Sequence, residues 1–127
     1  MKAILERMWG ALRIASWLSL LALVIASWTP GYYMVRTGVG GRFEHVGAYF
    51  IATLLWVLAY SRLPPWGIGA ALAAYAGILE LGQLYVPGRH SQFEDFAASC
   101  TGVAFVILVA ILFQSGRAVS IGGSSPR

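Results

Sequence analysis

The chain is 127 residues long, 58% hydrophobic and only 11% charged, with a formal net charge of +4 and a mean hydropathy of +0.70. A water-soluble domain carries roughly 25% charged residues, so an ordinary soluble surface is excluded. The nine Lys and Arg are scattered singly, with no basic stripe among aromatics, which excludes a nucleic-acid interface.

Four apolar runs of about 15 to 20 residues approach the length a helix needs to cross the hydrocarbon core. They predict an all-α integral membrane protein, a four-transmembrane-helix bundle forming a single domain over residues 1–113. The first run, Leu12 to Trp28, follows Lys2, Arg7 and Arg13. That basic start, with Val24-Ile25-Ala26 behind it, imitates a secretory signal, but three more runs favour an uncleaved span. Thr29 to Gly41 reads as a loop punctuated by Pro30 and glycines, with Tyr32 and Tyr33 suited to the membrane interface.

The second run, His45 to Tyr60, is separated from the third, Trp66 to Tyr85, by Ser61-Arg62-Leu63-Pro64-Pro65. So short a link predicts a tight hairpin between helices two and three, with the prolines stopping one helix and starting the next. The fourth run covers Phe96 to Phe113. Ser91 and Glu94 have the spacing of a capping box at its start. The tail over 114–127 is rich in Gly and Ser and is expected to be disordered. Lys2, Arg7, Arg13, Arg62, Arg117 and Arg127 fall on one side of this topology, and Arg36, Arg42 and Arg89 on the other. The bias puts both termini in the cytoplasm.

Charge is so scarce that its placement is informative, because an ionisable group at membrane depth costs a few kcal/mol or more and needs a partner or a task. Glu80 comes 14 residues after Trp66, about 21 Å along a ~30 Å core. It therefore lies in the outer half, with Gln83 at i+3 on nearly the same face. The turn at Pro87-Gly88 brings Arg89 and His90 to the same level, where helix two begins with Glu44 and His45. Asp95, Ser99 and Gly102 form one stripe of helix four, expected to face the bundle interior, with Gly102 allowing a close helix approach.

Two chemistries suit this cluster. Arg42 and Arg89 can hold a phosphate or carboxylate bidentately. His45, as the side chain that changes charge near neutral pH, can exchange protons with Glu80 or Asp95. The set His45, Glu80 and Asp95 also has the donor types of a metal site, but lacks the usual ligand spacing, and no metal or cofactor is assigned. The alternative is structural: Arg89 pairs with Asp95 or Glu80, His45 bonds Gln83 or a helix end, and the network locks the helices. Tryptophans 9, 17, 28, 56 and 66 read as interface anchors or packing. Cys100 reads as a small buried residue. No G-x-S-x-G, Walker, CxxC or HExxH signature occurs.

Three segments carry a resemblance: Gly41-Arg42-Phe43-Glu44-His45-Val46-Gly47-Ala48-Tyr49, then Glu80-Leu81-Gly82-Gln83 with Pro87-Gly88-Arg89, then Asp95-Phe96-Ala97-Ala98-Ser99 with Gly102. Over roughly Arg42 to Val109 the chain resembles the VanZ-like family of small bacterial membrane proteins. That family's pattern has Asp-Lys where Gly41-Arg42 stand, and Asn where Ser99 stands. The resemblance implies a bacterial inner-membrane protein with a cell-envelope role, in a family linked to glycopeptide-antibiotic resistance. It selects His45, Glu80 and Asp95 as catalytic candidates, and Arg42, Gln83, Arg89 and Ser99 as ligand-binding candidates. The expected partner is a membrane lipid, either a lipid phosphate or a lipid-linked glycan, with homo-oligomers or envelope-biosynthesis partners as further contacts. A non-catalytic assembly subunit and a small proton-coupled carrier are the competing functions. Against the carrier stands the absence of repeat halves.

Overall fold

The computed structural model of the chain describes residues 1–34 and 38–122. Among them four α-helices run Lys2–Trp28 (α1), Gly41–Ala59 (α2), Pro65–Gly82 (α3) and Phe93–Gly122 (α4), with 3₁₀ turns at Gly31–Tyr33 and Gln83–Tyr85 and no strand. The all-helical class and the tight α2–α3 hairpin are as the composition and the proline pair demand. Pro65 occupies the first turn of α3, where its missing N–H costs nothing.

Three helices, over Lys2–Trp28, Pro65–Tyr85 and Phe93–Gly116, are long and apolar enough to cross a membrane. The expected fourth span, α2, does not reach that standard. Its first turn carries Arg42, Glu44 and His45, so too little of its 19 residues is apolar. Other bounds also shift. α1 starts at Lys2, about ten residues before the apolar run, because Lys, Ala, Ile, Leu, Glu, Arg and Met all continue a helix cheaply. α4 continues through Gly122 rather than giving way to a disordered tail at Gln114, since extending an established helix adds one bond per residue fixed. Residues 123–127, and Arg36 from the orientation argument, lie outside the described residues.

Packing follows an alternating topology. α2 touches all three other helices and packs most extensively on α4. The buried core joins Leu23 of α1, Tyr49 and Ala52 of α2, Ile68, Leu72 and Leu79 of α3, and Val103 of α4. Much apolar surface stays outside: Ile14, Leu18, Leu21 and Ile25 on α1, Ile78 and Leu81 on α3, and Phe105, Leu108 and Leu112 on α4 are exposed. A bundle in water would not leave so wide a belt uncovered.

Because lipid tails are as apolar as leucine, helices in a bilayer associate through close packing and hydrogen bonds rather than by hydrophobic collapse. Both devices are present. The backbone carbonyls of α1 accept from Trp56 Nε1 at Ser16 (3.0 Å) and from the Tyr75 hydroxyl at Leu20 (2.8 Å). In return Trp28 Nε1 donates to the Leu79 carbonyl of α3 at 3.3 Å. Trp56 also stacks on Tyr60 with centroids 4.9 Å apart, and the Arg13 guanidinium covers that ring at 5.7 Å.

Between α2 and α4 the close approach is at Gly102. A Cβ there would fall 2.3 Å from the Val46 carbonyl oxygen and 2.9 Å from the Phe50 nitrogen, both backbone atoms that cannot rotate away. Gly102→Ala is therefore expected to destabilise by about 1–3 kcal/mol, the usual cost of overpacking. Gly10→Ala, where an added methyl meets open space inside α1, should hold or raise the melting temperature in detergent, by up to about 1 kcal/mol of helix propensity. Equal melting temperatures for the two variants would contradict the close-packed α2–α4 contact.

Candidate functional site: a polar cavity at one end of the bundle

The chain turns at the end of α1 and again after α3, and the two turns meet. Gly31 donates its N–H to the Pro87 carbonyl at 3.1 Å. The backbones are in such direct contact that a Cβ on Gly31 would lie 2.0 Å from the Gly88 oxygen. Gly88 has φ +72°, a left-handed conformation that glycine adopts without steric cost. Pro87-Gly88 is thus a docking element as well as a turn, and it pins the α3–α4 loop onto the end of α1.

Beneath this contact lies a cavity of about 510 Å³. Five of the seven candidate residues line it: Arg42 and His45 from the first turn of α2, Gln83 from the end of α3, Arg89 from the loop, and Asp95 from the first turn of α4. Glu80 and Ser99 do not. They stand behind its wall, only 8% and 2% exposed, and act through backbone and neighbours.

Glu80 holds α4. Its Oε1 accepts the Gln92 N–H at 2.7 Å, immediately before Phe93 opens that helix. The capping box expected from Ser91 and Glu94 does not form. α4 starts after Gln92, so Ser91 falls outside it, and a carboxylate from α3 supplies the acceptor instead. A negative group there also suits the positive end of the α4 dipole.

Arg89 holds α1. Its Nε donates to the Thr29 carbonyl at 3.1 Å and its Nη2 to the Ala26 carbonyl. These are among the last carbonyls of α1, which have no partner within the helix. The pairing of Arg89 with Glu80 or Asp95 weighed from sequence is not the arrangement among the hydrogen bonds seen, since both resolved donors go to backbone oxygens.

His45 sits on the cavity wall between two residues of α4. Its Nδ1 is 3.2 Å from the Ser99 hydroxyl and its Nε2 is 3.8 Å from Asp95 Oδ2. Ser99 gives its own proton to the Asp95 carbonyl at 3.0 Å, so its remaining lone pair receives Nδ1–H. With Nδ1 protonated, the ring donates to Ser99 and turns Nε2 toward Asp95. At 3.8 Å the Asp95 carboxylate is an electrostatic partner for an imidazolium rather than a hydrogen-bond acceptor. The predicted inward stripe of Asp95, Ser99 and Gly102 accounts for this arrangement.

Sequence reasoning undervalued His90, which also lines the cavity. Its position directly after Pro87-Gly88-Arg89 was the available signal. Arg42 and His90 are exposed and make no hydrogen bond or ion pair among the described residues. Gly40 and Gly41 border the cavity as well, and Gly40 caps α2 without any side-chain bond. The N–H groups of Arg42 and Phe43 in that first turn thus receive no side-chain cap from Gly40. No three His, Cys, Asp or Glu side chains among the described residues stand together as a metal site, because the Glu80 carboxylate is turned to Gln92 rather than to His45. No family model, curated protein or solved structure matches the chain.

The two capping contacts can be tested separately from any ligand. Glu80→Gln keeps an oxygen acceptor for Gln92 and should retain most of the stability. Glu80→Ala removes the acceptor of that part-buried N–H and should cost about 1 kcal/mol. Detergent melts that rank the two variants the other way would refute the capping role.

Proposed function

We propose that this chain is a four-span inner-membrane protein of the VanZ-like type that binds an anionic lipid headgroup, a lipid phosphate or lipid-linked glycan, in the polar cavity. The observation carrying this reading is that cavity of about 510 Å³, to which separate helix ends and loops bring Arg42, Arg89, His45 and His90. Arg42 and His90 offer cationic or hydrogen-bonding groups with no partner of their own among the described residues. The first turn of α2 adds backbone donors and the positive end of a helix dipole, which together favour a phosphate.

Support for the fourth span comes from α2 itself, which packs against every other helix and falls short in apolar length only through the residues that line the cavity. Support for the resemblance comes from motif residues far apart in sequence that meet at one site. The excess of basic residues at the opposite end, including Lys2, Arg7, Arg13 and Arg62, favours a cytoplasmic location for that end and an outward-facing cavity.

In this reading Arg42, His90 and the α2 N-terminus contact the headgroup. His45 Nε2 hydrogen-bonds to it, and Asp95 stabilises the ring when it takes a proton. The bonds made by Glu80 and Arg89 favour a second role for those two residues, holding α4 and α1 in place around the ligand. The helix-locking and ligand-binding readings thus divide the cluster between them.

The test is native mass spectrometry of the full chain released gently from its membrane. A co-purifying phospholipid or polyprenyl phosphate is expected, weakened by about tenfold or more in Arg42→Ala, as for loss of a charge-assisted contact. The melting temperature should not change, because Arg42 holds no structural bond. Retention of the lipid in Arg42→Ala, or a wild-type protein free of anionic lipid, would overturn the proposal.

A further inference from the structure

The polar cavity does not end at its polar wall. A second, smaller space of about 110 Å³ adjoins it and shares Met34, Glu44, His45, Gln83 and Arg89 as lining. Beyond those residues its walls are Leu23, Ala26 and Ser27 from α1, and Ala48 and Tyr49 from α2. Along α2, Tyr49 lies one turn below His45, about 6 Å farther from the mouth. On α1, Leu23 likewise lies about one turn below Ala26 and Ser27. The smaller space therefore descends between α1 and α2, away from the loops and toward the hydrophobic middle of the bundle. Its flanks are alanines, and both Ala26 and Ala48 are exposed, so small side chains leave the seam between the helices open to the outside.

Resting on the headgroup reading above, we propose that the ligand is a single-chain amphiphile that enters sideways from the bilayer through this α1–α2 seam. Its anionic head occupies the large cavity, and the first few methylenes of its hydrocarbon chain pass through the slot to the bilayer. Three features carry this. The two spaces lie side by side, with His45, Gln83 and Arg89 lining both. The character of the lining changes from charged to apolar over a single helical turn. The slot is much smaller than the cavity and accepts one chain rather than two abreast. A soluble anion would need only the upper cavity and would gain nothing from an apolar extension that leaves through the lipid-facing side. Membrane-facing side chains elsewhere on α1, such as Leu21 and Ile25, are bulky. At the slot the corresponding side chain on α1 is Ala26.

The experiment uses the full chain in nanodiscs of zwitterionic lipid and three probes: lysophosphatidic acid, two-chain phosphatidic acid and glycerol 3-phosphate. Lysophosphatidic acid should bind the wild type at least about tenfold more tightly than either other probe. Ala26→Phe and Ala48→Phe should each weaken it by about tenfold while leaving glycerol 3-phosphate binding as it was. Both alanines are exposed, so the added rings need not disturb the core. Ala104→Phe, on the exposed face of α4, controls for added bulk. Two results would overturn the slot while leaving the headgroup site standing: undiminished lysophosphatidic acid binding in both seam variants, or equally tight binding of glycerol 3-phosphate. Tighter binding of two-chain phosphatidic acid would overturn the single-chain assignment. If none of the probes binds wild type, the anion site falls and the slot falls with it.

Discussion

The guanidinium of Arg89, spread over the carbonyls of Ala26 and Thr29, is the contact on which the polar end of this molecule depends. A helix end in a membrane protein leaves carbonyls that hydrocarbon cannot satisfy. One side chain from a distant loop answers that requirement and, in doing so, fixes where the loop must lie. The loop then carries Gln92 to the Glu80 carboxylate, which sets the start of α4. From that start follow the positions of Asp95 and Ser99, and hence the orientation of His45. Two charged side chains at two helix ends thus determine the geometry of a third, titratable group on another helix.

Away from that end, α1 is held by a different economy. Few of its residues are buried, with Ser16, Leu23 and Ser27 on the packed face. Trp56 and Tyr75 instead direct their polar atoms at its backbone while keeping their rings among apolar neighbours. Each such bond adds on the order of 1 kcal/mol in a bilayer, and their number matters more than any single one. This also explains why serines occur on the inner face of an otherwise greasy helix: Ser16 and Ser19 return their hydroxyl protons to carbonyls of α1 itself and so add no unsatisfied group.

Composition and proline placement made the helical class, the helix order and the hairpin legible, because those features are local. The convergence of Arg42, His45, Gln83, Arg89 and Asp95 was legible too, since alternating helices of known rise must bring their ends to the same level. What could not be read was the assignment of partners. Nothing in the spacing distinguishes a Glu80 that faces a ligand from one that accepts an N–H 12 residues away in the chain. The same holds for Arg89, whose bonds to the Thr29 and Ala26 carbonyls end on backbone atoms and so carry no side-chain signature. The shift of the α4 cap position from Ser91 to Gln92 has the same origin. A local capping motif lost to a tertiary one, and local pattern cannot anticipate that competition.

The contact between Gly31 and Gly88 separates the shape of the cavity from its chemistry. At Gly31 and Gly88 its wall is main chain against main chain, so that part of the frame does not depend on the side chains that line the rest. Residues such as Arg42 and His90, exposed and held by no hydrogen bond among the described residues, can then be exchanged without moving that contact. The two glycines have no such freedom, because any side chain at Gly31 would push the loop off α1 and unmake the site from above.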